Sequence, residues 1–158
     1  MTLSAPTPAA IRVLVVDSEP AMGGAYREAL VPASRFAPEF AHDAREAAAA
    51  MLREAGRGSR FDTVFLDLHM PPTADNLSAA REIRRIDPDV DIVVCAASAD
   101  RDPGALLADV SSADRLFFVQ KPFHPHEIRQ LAQALAGKRL AQAHVHRLAY
   151  FDSLTGLA

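Results

Sequence analysis

The 158-residue sequence predicts an α/β fold: a doubly wound sheet of five parallel strands, helices on both faces, and a linker helix at the carboxyl end. Three observations carry this reading. Short β-branched and aromatic runs alternate with helical stretches five times within about 125 residues, the pattern of repeated right-handed crossovers. The strand runs are nearly continuous in apolar residues, as expected of strands covered on both faces. Polar residues (Asp17, Asp67 and Lys121) close three of those runs, at the carboxyl edge where α/β folds place their sites.

The elements follow in order. Ile11 to Asp17 is a β-branched strand. Ser18-Glu19-Pro20 opens a helix with a capping hydroxyl and a proline in the first turn, and Pro32 stops it after about Leu30. Phe36 to His42 is a weaker strand, placed at an edge by Pro38. The Ala-rich stretch from Asp43 to about Ala55 is a helix ended by Gly56-Arg57-Gly58. Strand three is Thr63 to Asp67. The helix from Ala74 to Ile86 stops at Asp87-Pro88, because the residue before a proline avoids helical angles. Val90 to Ala96 is strand four, and Asp102-Pro103 starts a helix ending near Val110. Leu116 to Gln120 is strand five and Pro125 to Ala136 the next helix. After Gly137, Lys138 to Tyr150 is a polar, Ala-rich helical stretch whose apolar members are Leu140, Val145 and Leu148.

Composition narrows the function. A hydrophobic content of 49% and a charged content of 23% are those of an ordinary globular domain. The net charge of −3 gives no electrostatic case for nucleic acid. No stretch approaches the roughly 20 apolar residues that span a bilayer, and the first ten residues lack the features of a signal peptide. The single cysteine, Cys95, excludes an internal disulfide. A cytoplasmic location is expected, with no membrane partner.

An isolated strand-end acid such as Asp67 can simply cap the following turn. Its neighbours argue for chemistry. In a parallel sheet, strands one, three, four and five end at one edge, which brings Asp17, Ser18 and Glu19, Asp67, Ala96 and Lys121 together. Crowded carboxylates need a cation such as Mg²⁺, which takes oxygen ligands and keeps waters. A lysine adds a compact positive charge suited to phosphate oxygens. A nucleophilic carboxylate, an acidic metal corner and a lysine are what phosphoryl transfer to an aspartate requires.

Val15-Val16-Asp17-Ser18-Glu19-Pro20, Asp67-Leu68-His69-Met70-Pro71 and Lys121-Pro122-Phe123 resemble the signature stretches of bacterial response-regulator receiver domains. The resemblance covers about residues 11 to 136 and implies a flavodoxin-like sheet of order 2-1-3-4-5. By it, Asp67 is the phospho-acceptor and Lys121 the phosphate-pairing lysine. Asp17, Asp67 and the His69 backbone carbonyl would hold Mg²⁺, and Asp75-Asn76 occupies the place of the usual Asp-Gly turn. The Lys121-Pro122 bond is expected to be cis. The implied partner is a sensor histidine kinase or phosphotransfer protein, and the chain is a signalling module rather than an enzyme.

Three positions depart from the family pattern. Ser18 stands where a second acid is usual; Glu19 is the alternative ligand, or else a first-turn helix residue. Ala96 stands at the switch hydroxyl, with Ser98 able to substitute only if the loop bends back. Phe118 fills the switch-aromatic position without a polar handle. Ser18 and Ala96 favour a rival reading, a degenerate receiver that works as a non-phosphorylated interaction or dimerisation module. A nucleotide- or flavin-binding enzyme of the same topology lacks its Gly-rich loop after strand one. Cys95 reads as a small buried hydrophobe. His124, His126, His144 and His146 read as solvated, and Met22, Met51 and Met70 as gap-fillers.

Leu148 to Leu157 resembles the opening of a GGDEF diguanylate cyclase domain, which implies a cyclic-di-GMP output. The expected division is a disordered arm over 1–10, the receiver over 11–137, and over 138–158 a linker helix and truncated start of an output domain. By that reading the chain is a piece cut from a longer protein or a truncated natural product. The linker seam predicts a weak homodimer, and the helix from Pro125 is expected to continue past Gly137 or resume just after it, to about Phe151, with a kink at Gly137 as the deviation. The cognate kinase and its signal are not encoded in any residue pattern.

Overall fold

The computed structural model describes residues 10–31, 35–68, 77–97 and 115–155, with the side chains of 20, 21, 77, 97 and 143–155 excepted. The expectations for the arm 1–9, His69, Met70, the Asp75-Asn76 turn, Ser98, the helix from Asp102-Pro103 to Val110 and the last three residues lie outside them.

Five parallel strands form one sheet in the order β2-β1-β3-β4-β5. They are β1 (Ile11–Val16), β2 (Phe36–Ala41), β3 (Thr63–Asp67), β4 (Asp91–Ala97) and β5 (Leu116–Lys121). The described helices are α1 (Pro20–Leu30), α2 (Ala44–Gly56), α3 (Leu77–Ile86) and α4 (Pro125–Thr155). Side chains alternate across each strand, so one apolar run serves two cores. Leu14, Val16, Val64, Leu66, Ile92 and Val94 pack under α2 and α3. Val13, Val15, Phe65, Val93 and Cys95 pack under α1 and α4 with Tyr26, Leu30, Ile128 and Leu135. Pro38 lies on β2, an edge strand, where its missing N–H costs no central ladder bond.

Caps fix the helix starts. Asp43 Oδ1 accepts the Glu46 N–H at 2.8 Å at the start of α2, and Gly58 takes the left-handed turn beyond its end, with φ of +70°. At α1 the expectation of a capping hydroxyl is corrected. The N-cap is Glu19, it makes no side-chain cap bond, and Pro20 takes the first helical position. Asp17 Oδ1 accepts the Glu19 N–H at 2.9 Å, a side-chain turn that leads the chain into the helix without capping it.

The carboxyl-terminal helix takes the continuous of the two courses expected past Gly137. It is helical without a break for 31 residues, through Gly137 and on to Thr155. Glycine is tolerated there because the helix on both sides is anchored: Ile128, Ala132, Leu135 and Ala136 are buried against the sheet, and Lys138 and Arg139 reach it from beyond. At the amino edge, Arg84 is buried and donates to the Val90, Pro88 and Arg115 carbonyls at 2.5, 3.1 and 3.1 Å. Burial and the nearby Arg115 pull its pKa below the usual guanidinium value.

Candidate functional site

The site forms where β1, β3 and β5 end. Parallel pairing sets Val16 beside Leu66, so Asp17 and Asp67 leave neighbouring strands at the same height. Asp67 lies opposite Cys95, and Ala97 opposite Lys121. Lys121 therefore starts from β5, with β4 between it and Asp67, and its four-carbon stem carries the ammonium across. The Lys121 Nζ lies 3.1 Å from Asp17 Oδ2 and 3.3 Å from Asp67 Oδ1. The two carboxylate side chains are only 2% and 5% exposed, and the lysine 15%. The Lys121–Pro122 bond is cis, as expected.

Burial alone would lower the Lys121 pKa, but Asp67 and then Asp17 outweigh it, and the ammonium is held charged above its usual value. Two carboxylates and one ammonium leave a net negative charge in a nearly dry corner. Coulomb interactions are strong there, and removing any one of the three charges leaves the others poorly compensated.

Ser18 is half-buried beside Asp17, whereas Glu19 is exposed and touches the site through its main-chain N–H. Ala96 is buried on β4, with no hydroxyl to offer. Phe118, two rungs back on β5 and opposite Val94, is 43% exposed. His124 and His126 are exposed, with His124 Nδ1 accepting the His126 N–H at 3.1 Å. Among the described residues no three His, Cys, Asp or Glu side chains form a metal-holding group.

One feature beneath the site has no counterpart in the sequence reading. The Tyr26 hydroxyl and the Cys95 thiol are hydrogen-bonded at 2.9 Å, both fully buried. The Tyr26 ring packs at 5.7 Å on Phe65, two residues before Asp67, and at 5.2 Å on Phe123, two after Lys121. Burial pushes the Cys95 thiol up to about 12 against the bond from Tyr26. It also raises the Tyr26 phenol, helped by Cys95 and by the acids Asp17 and Asp67. Cys95 is thus buried as expected, but it is a partnered thiol. The two residues lie 69 positions apart, and no local pattern links them.

Known proteins place this geometry. Residues 13–133 match the model of the response regulator receiver domain. The chemotaxis protein CheY of Thermotoga maritima is 29% identical over 117 residues, covering 74% of this chain and 90% of that protein. A response regulator receiver protein from Sinorhizobium medicae superposes with a TM-score of 0.65 at 22% identity, covering 82% of this chain and 97% of that one. The structure of an adenylate cyclase from Rhodopirellula baltica superposes with a TM-score of 0.72 at 17% identity, covering 89% and 98%, a likeness of fold. Receiver domains are signalling modules that interact with histidine kinases or phosphotransfer proteins and typically bind Mg²⁺ where they are phosphorylated. With the family model spanning most of the chain and the sheet in the expected order, this protein belongs to the response regulator receiver domain family and is the receiver of a two-component response regulator.

Proposed function

We propose that Asp67 is the phospho-acceptor, taking its phosphoryl group from a sensor histidine kinase or phosphotransfer protein. The observation that carries this reading is the Lys121 ammonium lying between Asp17 and Asp67, at 3.1 and 3.3 Å. In the transfer, an Asp67 carboxylate oxygen forms a bond to phosphorus as the donor's phosphorus–nitrogen bond breaks. The electron pair leaves with the donor nitrogen, and the product is an acyl phosphate. Lys121 stays protonated throughout and moves its charge from carboxylate to phosphoryl oxygens. β3 and β4 hold Asp67 in place, so the acid pays little entropy to meet the donor.

The donor set suits Mg²⁺ in kind: two buried carboxylates on one edge with a net negative charge, since this ion is usually held by one or two carboxylates and waters. Asp17 and Asp67 would hold it, and it would neutralise charge on the entering phosphoryl group. Ser18 supplies a neutral oxygen where a charged one would bind better, so weak binding is expected.

The continuous α4 supports a further part of the reading, in which the receiver (11–137) passes its state along a linker helix to an output domain that begins within 138–158. The likeness of Leu148 to Leu157 to a GGDEF opening favours a cyclic-di-GMP output. A second reading, an interaction module that is not phosphorylated, is favoured by Ser18 and by Ala96, whose methyl group cannot follow a phosphoryl group.

Intact mass after treatment with a small acyl-phosphate or phosphoramidate donor and Mg²⁺ separates the two. One added phosphoryl group is expected, and Asp67→Asn abolishes it. No adduct at any Mg²⁺ concentration would establish the second reading.

A further inference from the structure

The inward face of α4 stays covered as far as residue 139: Leu135 and Ala136 are 3% and 7% exposed, and Lys138 and Arg139 are half-buried. Gly137 lies on the outward face, with Leu140, and is exposed. Packing does not require a glycine there, because a Cβ at Gly137 would meet nothing within 4 Å. Glycine is the weakest helix former after proline and the residue that most readily leaves helical angles. The softest residue of α4 is thus followed directly by two residues that hold the helix to the receiver.

Those two residues reach the amino edge of the sheet. Arg139 Nη1 donates to the Asp62 and Phe61 carbonyls at 2.7 and 3.2 Å, on the loop that leads into β3. Lys138 Nζ lies 3.9 Å from Asp91 Oδ1, at the first residue of β4, and 4.9 Å from the centre of the Phe117 ring on β5. Asp91 is fully buried, and neither of its oxygens has a hydrogen-bond partner. Burial pushes its carboxyl up, opposed by Lys138, Arg115 and Arg84. A carboxylate in that position depends on the surrounding cations, of which Lys138 is the one that α4 brings. The anchorage itself is rigid: Asp62 Oδ2 accepts the Arg12 N–H at 2.8 Å, and its own N–H donates to the Arg12 carbonyl at 2.8 Å.

We propose that Gly137 is a flexure in α4 and that Lys138 and Arg139 latch it. The direction in which the linker leaves the receiver is then set by two contacts on the amino edge of the sheet, not by the stiffness of the helix. The latch spans the starts of β3, β4 and β5, so a shift among those strands re-aims everything beyond residue 139. It does so whether or not Asp67 is phosphorylated. The helix end of the receiver is thereby a jointed lever.

The test is a distance distribution between two spin labels, one on the receiver through Leu52→Cys and one on the linker through Gln142→Cys. Leu52 is 58% exposed and residue 142 is exposed, while native Cys95 is fully buried and escapes labelling. The full chain should give one narrow distribution. Arg139→Ala should broaden it about two-fold or more as the joint opens, and adding Gly137→Ala should narrow it again by stiffening the helix. Should Arg139→Ala fail to fold, Asp91→Asn with Lys138→Gln removes the other contact without stranding a buried charge, and the same broadening and rescue are expected. A distribution that stays narrow when both contacts are removed together, by Arg139→Ala with Lys138→Gln and Asp91→Asn, or one that Gly137→Ala does not restore, overturns the proposal.

Discussion

Ser18 lies half-buried between Asp17 and the exposed Glu19, and in the proposed Mg²⁺ site it would offer a neutral oxygen beside two carboxylates. Ser18→Asp adds a charged ligand and should tighten Mg²⁺ by about ten-fold, since a divalent ion gains most from each carboxylate it meets. Without metal, the new charge faces Asp17 and Asp67 with only Lys121 to offset three acids, and the fold should lose about 1 kcal/mol. Calorimetric titration and thermal unfolding, each with and without Mg²⁺, measure both effects. Unchanged affinity in a folded variant would mean that water or Glu19 already fills the position. Asp17 has a second role that this substitution leaves intact, because its Oδ1 accepts the Glu19 N–H and starts α1.

Between elements, the Tyr26–Cys95 bond joins α1 to β4 directly behind Asp67. Its members have a predictable pH signature. The folded-state pKa of Cys95 is raised to about 12, and that of Tyr26 is raised too, so both groups stay neutral in the fold at pH values where the unfolded chain ionises them. Their contribution is therefore fully present below the unfolded pKa values, about 8.5 for a thiol and 10 for a phenol. It is lost as pH rises from there toward the folded values. Lys121, also raised, adds loss in the same direction at still higher pH. Denaturant unfolding should show stability falling above about pH 8.5, by up to roughly 4–5 kcal/mol for the thiol if its full shift is realised. In Cys95→Ala the starting stability is lower, but the decline should begin about one unit later, at the tyrosine. An identical slope in that variant would remove the thiol from the account.

At the scale of the whole molecule, α4 runs from the receiver core to Thr155, and the described helices include none long and apolar enough to cross a membrane. Leu140 has almost no cover on the receiver, and Val145 and Leu148 follow it along the same helix. Three apolar residues make a thin seam, so the chain is expected to form at most a marginal dimer through paired linker helices. Sedimentation velocity before and after phosphodonor treatment measures it, and removal of residues 138–158 should reduce any self-association. A truncated receiver that associates equally well would place the contact on the receiver itself.

The sequence by itself determined the sheet and the three charges at its carboxyl edge. Apolar runs ended by Asp17, Asp67 and Lys121 suffice, because parallel strands all deliver their last residues to one edge. Proline at position 38 likewise marked β2 as an edge strand, since a missing donor is tolerated only there. Tertiary structure decided what depends on distance through space between residues far apart in the chain. The Ser18 hydroxyl caps nothing, and an acid at the end of β1 instead shapes the turn into α1. Cys95 acquired a phenol partner from α1, and Asp91, one polar residue at a strand start, became a fully buried charge facing a cation 47 residues later. Past Gly137 the sequence leaves continuation or a fresh start open, and the helix continues, with Arg139 finding carbonyls 77 and 78 residues back. Local propensities are about 1 kcal/mol per residue and contacts across the fold are as large or larger, so the second set settles the course of a helix wherever the two disagree.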